Sequence, residues 1–402
     1  MAHAFYQRHW KTVGKEVCDA VLCVLNSNGS IDALNETFIV LIPKIKFPSK
    51  VTEFRHISLC NVLYKIISKT IANRLKKILP SIISQTQFAF VPGRLISDNV
   101  IVAFEALHTM NTKLSAKDGQ MALKLDMSKT YDRIEWGFLE VVMLKMGFNQ
   151  SWMIACCFIK LISLNGANSY TLFNLYERGS GQKLNKEKTS MQFSKNTPRS
   201  AQDLILSIAG VRSYVQYERY LGLPVMVGKS RINSFKCIQE KVKSKLSSYK
   251  VKTLSLAGKE IFIKAVVQAL PSYSMRVFQL PCSFLKSINK VTQNYWWGQQ
   301  EQVGRIHWVS YNSMGKAKTK GGLGFRDLGS FNVAMLDKQG WRLLPFPDSL
   351  ASQVLKWKYF PRVSFMEAKV GSNPSYIWRS IMAARSLLDH GTCWRIGNGR
   401  EV

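Results

Sequence analysis

Asp126 closes an apolar run, Met121 to Met127, and stands just before a turn that Ser128 can cap. A carboxylate in that place can act as a helix-capping anion, face solvent, or bind a metal ion. The metal role asks most of its surroundings. Two-metal phosphoryl transfer holds a pair of cations roughly 4 Å apart between attacking and leaving oxygens, and that takes carboxylates from more than one segment. Other candidates are Tyr131, an aromatic five residues further on; Arg94, directly after the Pro92-Gly93 turn; and Lys188, in a Lys-Glu-Lys run. Taken bare, Arg94 is an exposed turn arginine and Lys188 a solvated surface lysine. No aspartate occurs between Asp132 and Asp203. Beyond Trp136, that interval carries only Glu140, Glu177 and Glu187 as acids.

The elements that would position these groups follow from apolar spacing. Val13 to Leu25 reads as a helix and Thr37 to Ile42 as a strand closed by Pro43. Residues 59–80 form an amphipathic helix, with Leu63, Ile67, Ile71, Leu75 and Ile78 at helical spacing and Pro80 after its end. Gln87 to Val91 is a short extended run, and a second helix runs from about Asp98 to Leu114. Met121 to Met127 reads as a buried strand, followed by a helix from Trp136 that Gly147 stops. Ile154 to Leu164 fits helix or strand equally, and Asn165-Gly166 is a hairpin-type turn. Residues 204–227 read as short strands, and Ile232 to Phe278 as helical. Gly321 to Gly324 is a flexible joint before a Trp-rich end.

The chain has 402 residues, 46% of them hydrophobic, which is a globular composition with enough apolar content for a sizeable core. Fifty-six Lys and Arg against 25 Asp and Glu give a net charge of +31. Such an excess repels itself unless a polyanion neutralises it. The charge is spread through apolar-periodic segments and is densest at residues 229–320, where 17 Lys or Arg face three glutamates. That distribution favours a basic groove for RNA or DNA phosphates over a lipid-binding cluster. No apolar run reaches the length of a membrane span, and the N-terminus has no secretory signal, so no membrane association and an intracellular location, nuclear or cytoplasmic, are expected. The eight cysteines include no Cys-x-x-Cys pair, which argues against a zinc site and for reduced thiols.

The stretch Asp126-Met127-Ser128-Lys129-Thr130-Tyr131-Asp132-Arg133-Ile134-Glu135-Trp136 resembles the first catalytic motif of the reverse transcriptases of plant-type non-LTR (LINE-like) retrotransposons, D-M-S-K-A-Y-D-R-V-E-W. Thr130 departs from the usual alanine. Leu41-Ile42-Pro43-Lys44 and Phe54-Arg55-His56-Ile57-Ser58-Leu59-Cys60-Asn61 resemble the family's L-I-P-K and F-R-P-I-S-L-C-N blocks, with His56 in place of proline. Gln87 to Arg94 with Asp98-Asn99, Gly181 to Thr189, Tyr220-Leu221-Gly222 and Ile306 to Val309 are similar to later blocks, in order, over roughly residues 5–400.

The resemblance implies that Asp126 would hold the family's two magnesium ions and that Tyr131 would pack under the incoming sugar. It implies that Arg94 would lie near the triphosphate or template, and that Lys188 would protonate the leaving pyrophosphate. It implies an α+β fold, a right hand with fingers and palm, then a mainly helical thumb and a C-terminal extension. The corresponding boundaries are 1–195 for fingers and incomplete palm, 196–320 for the basic thumb-like region with the primer grip, and 321–402 for the Trp-rich extension.

The family's R-Q-G-D-P-L-S-P loop and its Y/F-A-D-D hairpin, which supplies the partner carboxylates, have no counterpart here. The chain passes from Ser163-Leu164-Asn165-Gly166 almost directly to Tyr176-Glu177-Arg178-Gly179. The expectation is an internally deleted RNA-directed DNA polymerase with Asp126 vestigial and magnesium not productively bound, and a strand 121–127 deprived of its neighbour. The alternative is a residual, sequence-indifferent RNA- or DNA-binding protein. No protein partner is implied.

Overall fold

The computed structural model describes residues 2–26, 34, 36–112, 119–128, 133–148, 169–213, 219–228, 230–298 and 306–391. The chain divides into two compact units: residues 1–93 with 125–189, and residues 94–124 with 190–402. In chain order the elements used below are as follows. After a short helix at Ala2–Arg8, the first unit has helix α1 (Trp10–Asn26), strands β1 (Ile39–Pro43) and β2 (Phe54–Ser58), and helix α2 (Val62–Ile82). The second unit opens with helix α3 (Ile96–Thr112) and strand β3 (Met121–Lys124). The chain returns to the first for β4 (Met127–Ser128), α4 (Trp136–Lys145), α5 (Ser169–Ser180) and β5 (Lys183–Leu184). It then completes the second with β6 (Ser190–Phe193), α6 (Arg199–Ala209), β7 (Arg212–Ser213), β8 (Arg219–Tyr220) and β9 (Leu223–Pro224). Helices α7 (Arg231–Ser247), α8 (Cys282–Trp296), α9 (Leu328–Arg342), α10 (Leu350–Tyr359) and α11 (Tyr376–Gly391) follow, with shorter helical turns between them.

In the first unit, Val17 and Val21 of α1 bury against Ile67 and Ile71 of α2 and Leu139 and Met143 of α4. Asn61 caps α2 by accepting the Tyr64 N–H at 2.8 Å, meeting one donor that the helix start leaves over. Helix α2 runs through Pro80 to Ile82, further than the spacing predicts. Proline's fixed φ is itself helical, so in the last turn it forfeits one hydrogen bond without ending the helix. Gln87 to Val91 is a series of turns with Phe90 at φ 65°, so the expected extended run is absent. β1 and β2 pair antiparallel, Leu41 opposite His56, and every residue of β1 is exposed.

In the second unit, β3 pairs antiparallel with β6, Leu123 opposite Met191, and β6 pairs in parallel with β7. The strand carrying the Met121 run therefore has a partner, supplied by Ser190–Phe193, and the run itself breaks after Lys124 into β3 and β4. Residues 199–209 form helix α6, where the sequence reading places strands from 204 onwards. The helix ends at Gly210 (φ 59°), a left-handed closure, and only then do the short strands begin. Leu221 and Gly222 both have positive φ, 50° and 83°, which is the backbone of a two-residue hairpin turn joining β8 to β9.

The second unit's main core gathers Phe235 of α7, Phe284 and Ile288 of α8, Phe278 and Leu328 near and at the start of α9, and Trp378 of α11. Trp378 is fully buried, and the Tyr359 ring stacks on it with centroids 4.6 Å apart. Two acids of α3, seven positions apart, reach into this unit's C-terminal helices. Asp98 takes a two-pronged pair from Arg342, both contacts 2.9 Å. Glu105 accepts from Lys358 Nζ at 2.8 Å, from Tyr359 Oη at 2.7 Å, and from Ser375 Oγ. Burial and the Glu105 carboxylate together push the Tyr359 phenol far above its ordinary range, so it stays a donor.

Candidate functional site

Asp126 lies between β3 and β4, half-buried, and its backbone is gripped on both sides. Its N–H donates to Thr189 Oγ1 at 3.3 Å and its carbonyl accepts the Asn185 N–H at 2.7 Å. β4 continues the contact, with Met127 opposite Leu184 and Ser128 opposite Lys183. Residues 183–189 thus form a bracket around the motif aspartate. The bracket is a turn built by Asn185: its side-chain oxygen accepts the Lys188 N–H at 3.2 Å, and its carbonyl accepts the Thr189 N–H at 2.8 Å. Gly181 at its foot has φ 73°, and a Cβ there would meet the Arg133 carbonyl at 2.5 Å, so only glycine fits.

Asp126 and Lys188, singled out separately from the sequence, therefore fall in one short β-paired assembly of the first unit, with Lys188 exposed. Tyr131 lies outside the described residues. Arg94 opens the second unit, half-buried ahead of α3. The residues that hold Asp126 in place, Asn185 and Thr189, were not candidates from the sequence. They showed only as part of the Gly181 to Thr189 block.

Among the described residues, no three His, Cys, Asp or Glu side chains come together as a cation cage. The acids of the intervening chain are engaged or turned outward. Glu177 Oε1 accepts the Leu184 N–H at 2.6 Å, while Glu140 and Glu187 are exposed. Residues 149–168 contain no Asp or Glu at all. Among the described residues, Asp126 thus offers one half-buried carboxylate, fewer than a two-magnesium centre requires.

The second unit carries the densest positive charge. On α7, Phe235, Ile238, Val242 and Leu246 are buried while Lys236, Lys241, Lys243 and Lys245 are exposed. Lys286, Lys290, Lys316 and Lys320 are exposed as well. Glu260 is held between Lys264 at 2.7 Å and Lys318 at 2.8 Å, and their hydrogen bonds pull its carboxyl below the ordinary range. Among the described residues no helix is long and apolar enough to cross a membrane.

Residues 42–183 match the family described as reverse transcriptase (RNA-dependent DNA polymerase). An uncharacterised mitochondrial protein of Arabidopsis thaliana is 44% identical over 132 residues, 33% of this chain and 86% of that protein. The chain carries a reverse transcriptase domain over residues 42–183. A second Arabidopsis thaliana protein, named for ribonuclease H, is 35% identical over 184 residues, 45% of this chain and 30% of its own length. An uncharacterised 149 kDa protein of transposon TX1 from Xenopus laevis is 33% identical over 137 residues, 34% of this chain and 10% of its own. The chain thus spans most of the first relative and less than a third of the other two. The reverse transcriptase match includes Arg94, Asp126 and Tyr131, and Lys188 lies just past its end. The match also crosses both compact units, since residues 94–124 belong to the second.

Proposed function

We propose that this reverse transcriptase chain descends from a plant-type non-LTR, LINE-like retrotransposon, lacks RNA-directed DNA polymerase activity, and keeps a sequence-indifferent affinity for RNA and DNA. The supporting observation is the count of carboxylates. Two cations bridging attacking and leaving oxygens need acids from at least two segments. Asp126 is the one carboxylate of the motif that the resemblance makes a metal ligand, and after Asp132, in the same motif, no aspartate follows until Asp203. In this reading an internal deletion between Gly166 and Tyr176 has removed the hairpin that carried its partners. Asp126 and Lys188 are vestigial catalytic groups, Tyr131 and Arg94 are remnants of the nucleotide site, and magnesium is not held productively.

The right-hand layout belongs to the same proposal: fingers and incomplete palm over 1–195, a basic thumb-like region over 196–320, and a Trp-rich extension over 321–402. The test is primer extension by the purified chain on an RNA template with magnesium. No template-dependent product is expected. Synthesis that disappears in Asp126→Ala would overturn the proposal.

The retained affinity rests on the exposed lysines of α7 and its neighbours. Phosphates neutralised by lysine release condensed counterions, so binding weakens steeply with salt. Changing Lys236, Lys241, Lys243 and Lys245 together to Gln should lower the slope of log affinity against log salt on single-stranded DNA by about 3. An unchanged slope in a titration followed by fluorescence anisotropy would remove α7 from the interface.

A further inference from the structure

Within the second unit, helices α7 and α8 run side by side in the same direction. Phe235 meets Phe284 with ring centroids 6.2 Å apart, and Gln239 Nε2 donates to Ser287 Oγ at 3.0 Å. Further along, Tyr295 Oη donates to the Val251 carbonyl at 2.8 Å, just past the end of α7. The outer edge of this seam is basic. Lys236 and Lys243 stand about one turn either side of Gln239, Lys290 stands one turn beyond Ser287, and all three are exposed. The two helices carry six lysines and Arg231, with Glu240 as their one acid.

The far end of the seam is aromatic. Lys286, Lys290, Gln293 and Trp297 recur at helical spacing, so they share the outward face of α8 and its C-cap, a row of about 16 Å. Residues 307–309 lie across the end of that row. The His307 ring stacks on Trp297 with centroids 6.4 Å apart, and Gln293 Nε2 donates to the Val309 carbonyl at 3.1 Å. Trp308, fixed between those two contacts, is 76% exposed. An exposed indole at the end of a row of lysines matches a strand whose phosphates meet the cations and whose unstacked bases offer open faces. A duplex keeps its base faces inside its own stack, so it can satisfy the lysines but not the ring.

We infer that the α7–α8 seam binds single-stranded nucleic acid, its phosphates along Lys236, Lys243, Lys286 and Lys290 and one base stacked on Trp308. The inference rests on the nucleic-acid affinity proposed above, and adds to it the form of nucleic acid and a residue that contacts a base.

The test uses the full chain, a short labelled oligothymidylate and a DNA duplex of the same length, with fluorescence anisotropy over a salt series. Trp308→Ala should weaken single-strand binding about tenfold, the loss of one stacked base, and leave duplex affinity and the salt slope unchanged. The unchanged duplex affinity also reports that the variant is folded. Trp308→Phe should recover most of the loss, because a phenyl ring still offers a face. Lys286→Gln combined with Lys290→Gln should instead lower the single-strand slope of log affinity against log salt by about 1.4, two phosphate contacts. No loss on the strand in Trp308→Ala, an equal loss on strand and duplex, or an unchanged slope in the lysine pair would each overturn the inference. In those cases, salt-dependent binding by the unaltered chain would leave the broader affinity standing. Absence of salt-dependent binding to either probe would overturn both.

Discussion

The two units spend their apolar residues differently. In the second, Trp378 is 0% exposed, sandwiched by Tyr359 and Phe360, and the helices around it are cross-tied by the Asp98 and Glu105 ion pairs. In the first, β1 reads Ile-Val-Leu-Ile-Pro, as apolar as any core strand, yet Leu41 is 52% exposed, and Phe38 and Phe47 on the same hairpin are 82% and 89% exposed. Sequence hydrophobicity is alike in the two places, and what separates them is the presence of a second layer. A two-stranded sheet with no packed face is marginal in water, whereas helices stacked on a common aromatic core stabilise one another. Stability should therefore reside in residues 94–124 with 190–402, and mutations should report it unevenly.

The sharpest way to break that contrast is a pair of truncations. Trp378→Ala leaves a large hole in the tied core and should cost about 3–5 kcal/mol in urea denaturation. Leu41→Ala on the exposed strand should cost less than about 0.5 kcal/mol. Similar costs for the two would mean that β1 is packed in solution and that the contrast is false. Next in size is Lys358→Met, which strands the Glu105 carboxylate in a site where its side chain is 0% exposed. The loss should be about 3 kcal/mol, at the low end for breaking a buried pair, because Tyr359 and Ser375 still donate to Glu105. Adding Glu105→Leu to that variant should restore part of the loss, since neither charge is then left unpaired. A double variant worse than the sum of the two singles would argue that the pair is not what holds α3.

How much of this could be read beforehand depends on whether the determinant is local. Helices α1, α2 and α3 follow from apolar periodicity, and Gly147 stops α4 with φ 87° as its position suggests. Helix α6 was misread, because Leu204, Ile205 and Ile208 close together look like strand residues when the turn at Gly210 is not given weight. The partner of β3 was also missed: Ser190–Phe193 is four residues long, and pairing across almost seventy positions leaves no mark in a single sequence.

At the site, the motif around Asp126 was legible as a resemblance, but its clasp was not. Thr189 and Asn185 act through one hydroxyl and one backbone N–H, roles that many residues in a turn can fill. Asp98 and Glu105 offered a signal that went unused. Two acids seven apart on an otherwise apolar helix share a face, and a buried face must supply cations.

The smallest expected effect lies beside the Glu105 tie and concerns pH. His108 Nδ1 sits 3.1 Å from Lys358 Nζ. Burial lowers its pKa most, the nearby Lys358 charge next; Glu105 raises it and Arg379 lowers it, and the net direction is below the ordinary 6.5. The folded chain therefore holds this imidazole neutral at a pH where the unfolded chain has already protonated it. The unfolded state binds more protons in that window, so stability rises with pH through it. The contribution is complete above the ordinary value and is lost as pH falls from about 6.5 toward the lowered folded value. Urea midpoints at pH 7.5 and 5.5 should fall further for the unaltered chain than for His108→Gln, which has no proton to take up there. An equal fall in both would place the pH dependence elsewhere and leave the second unit's stability at neutral pH to packing and the two ion pairs alone.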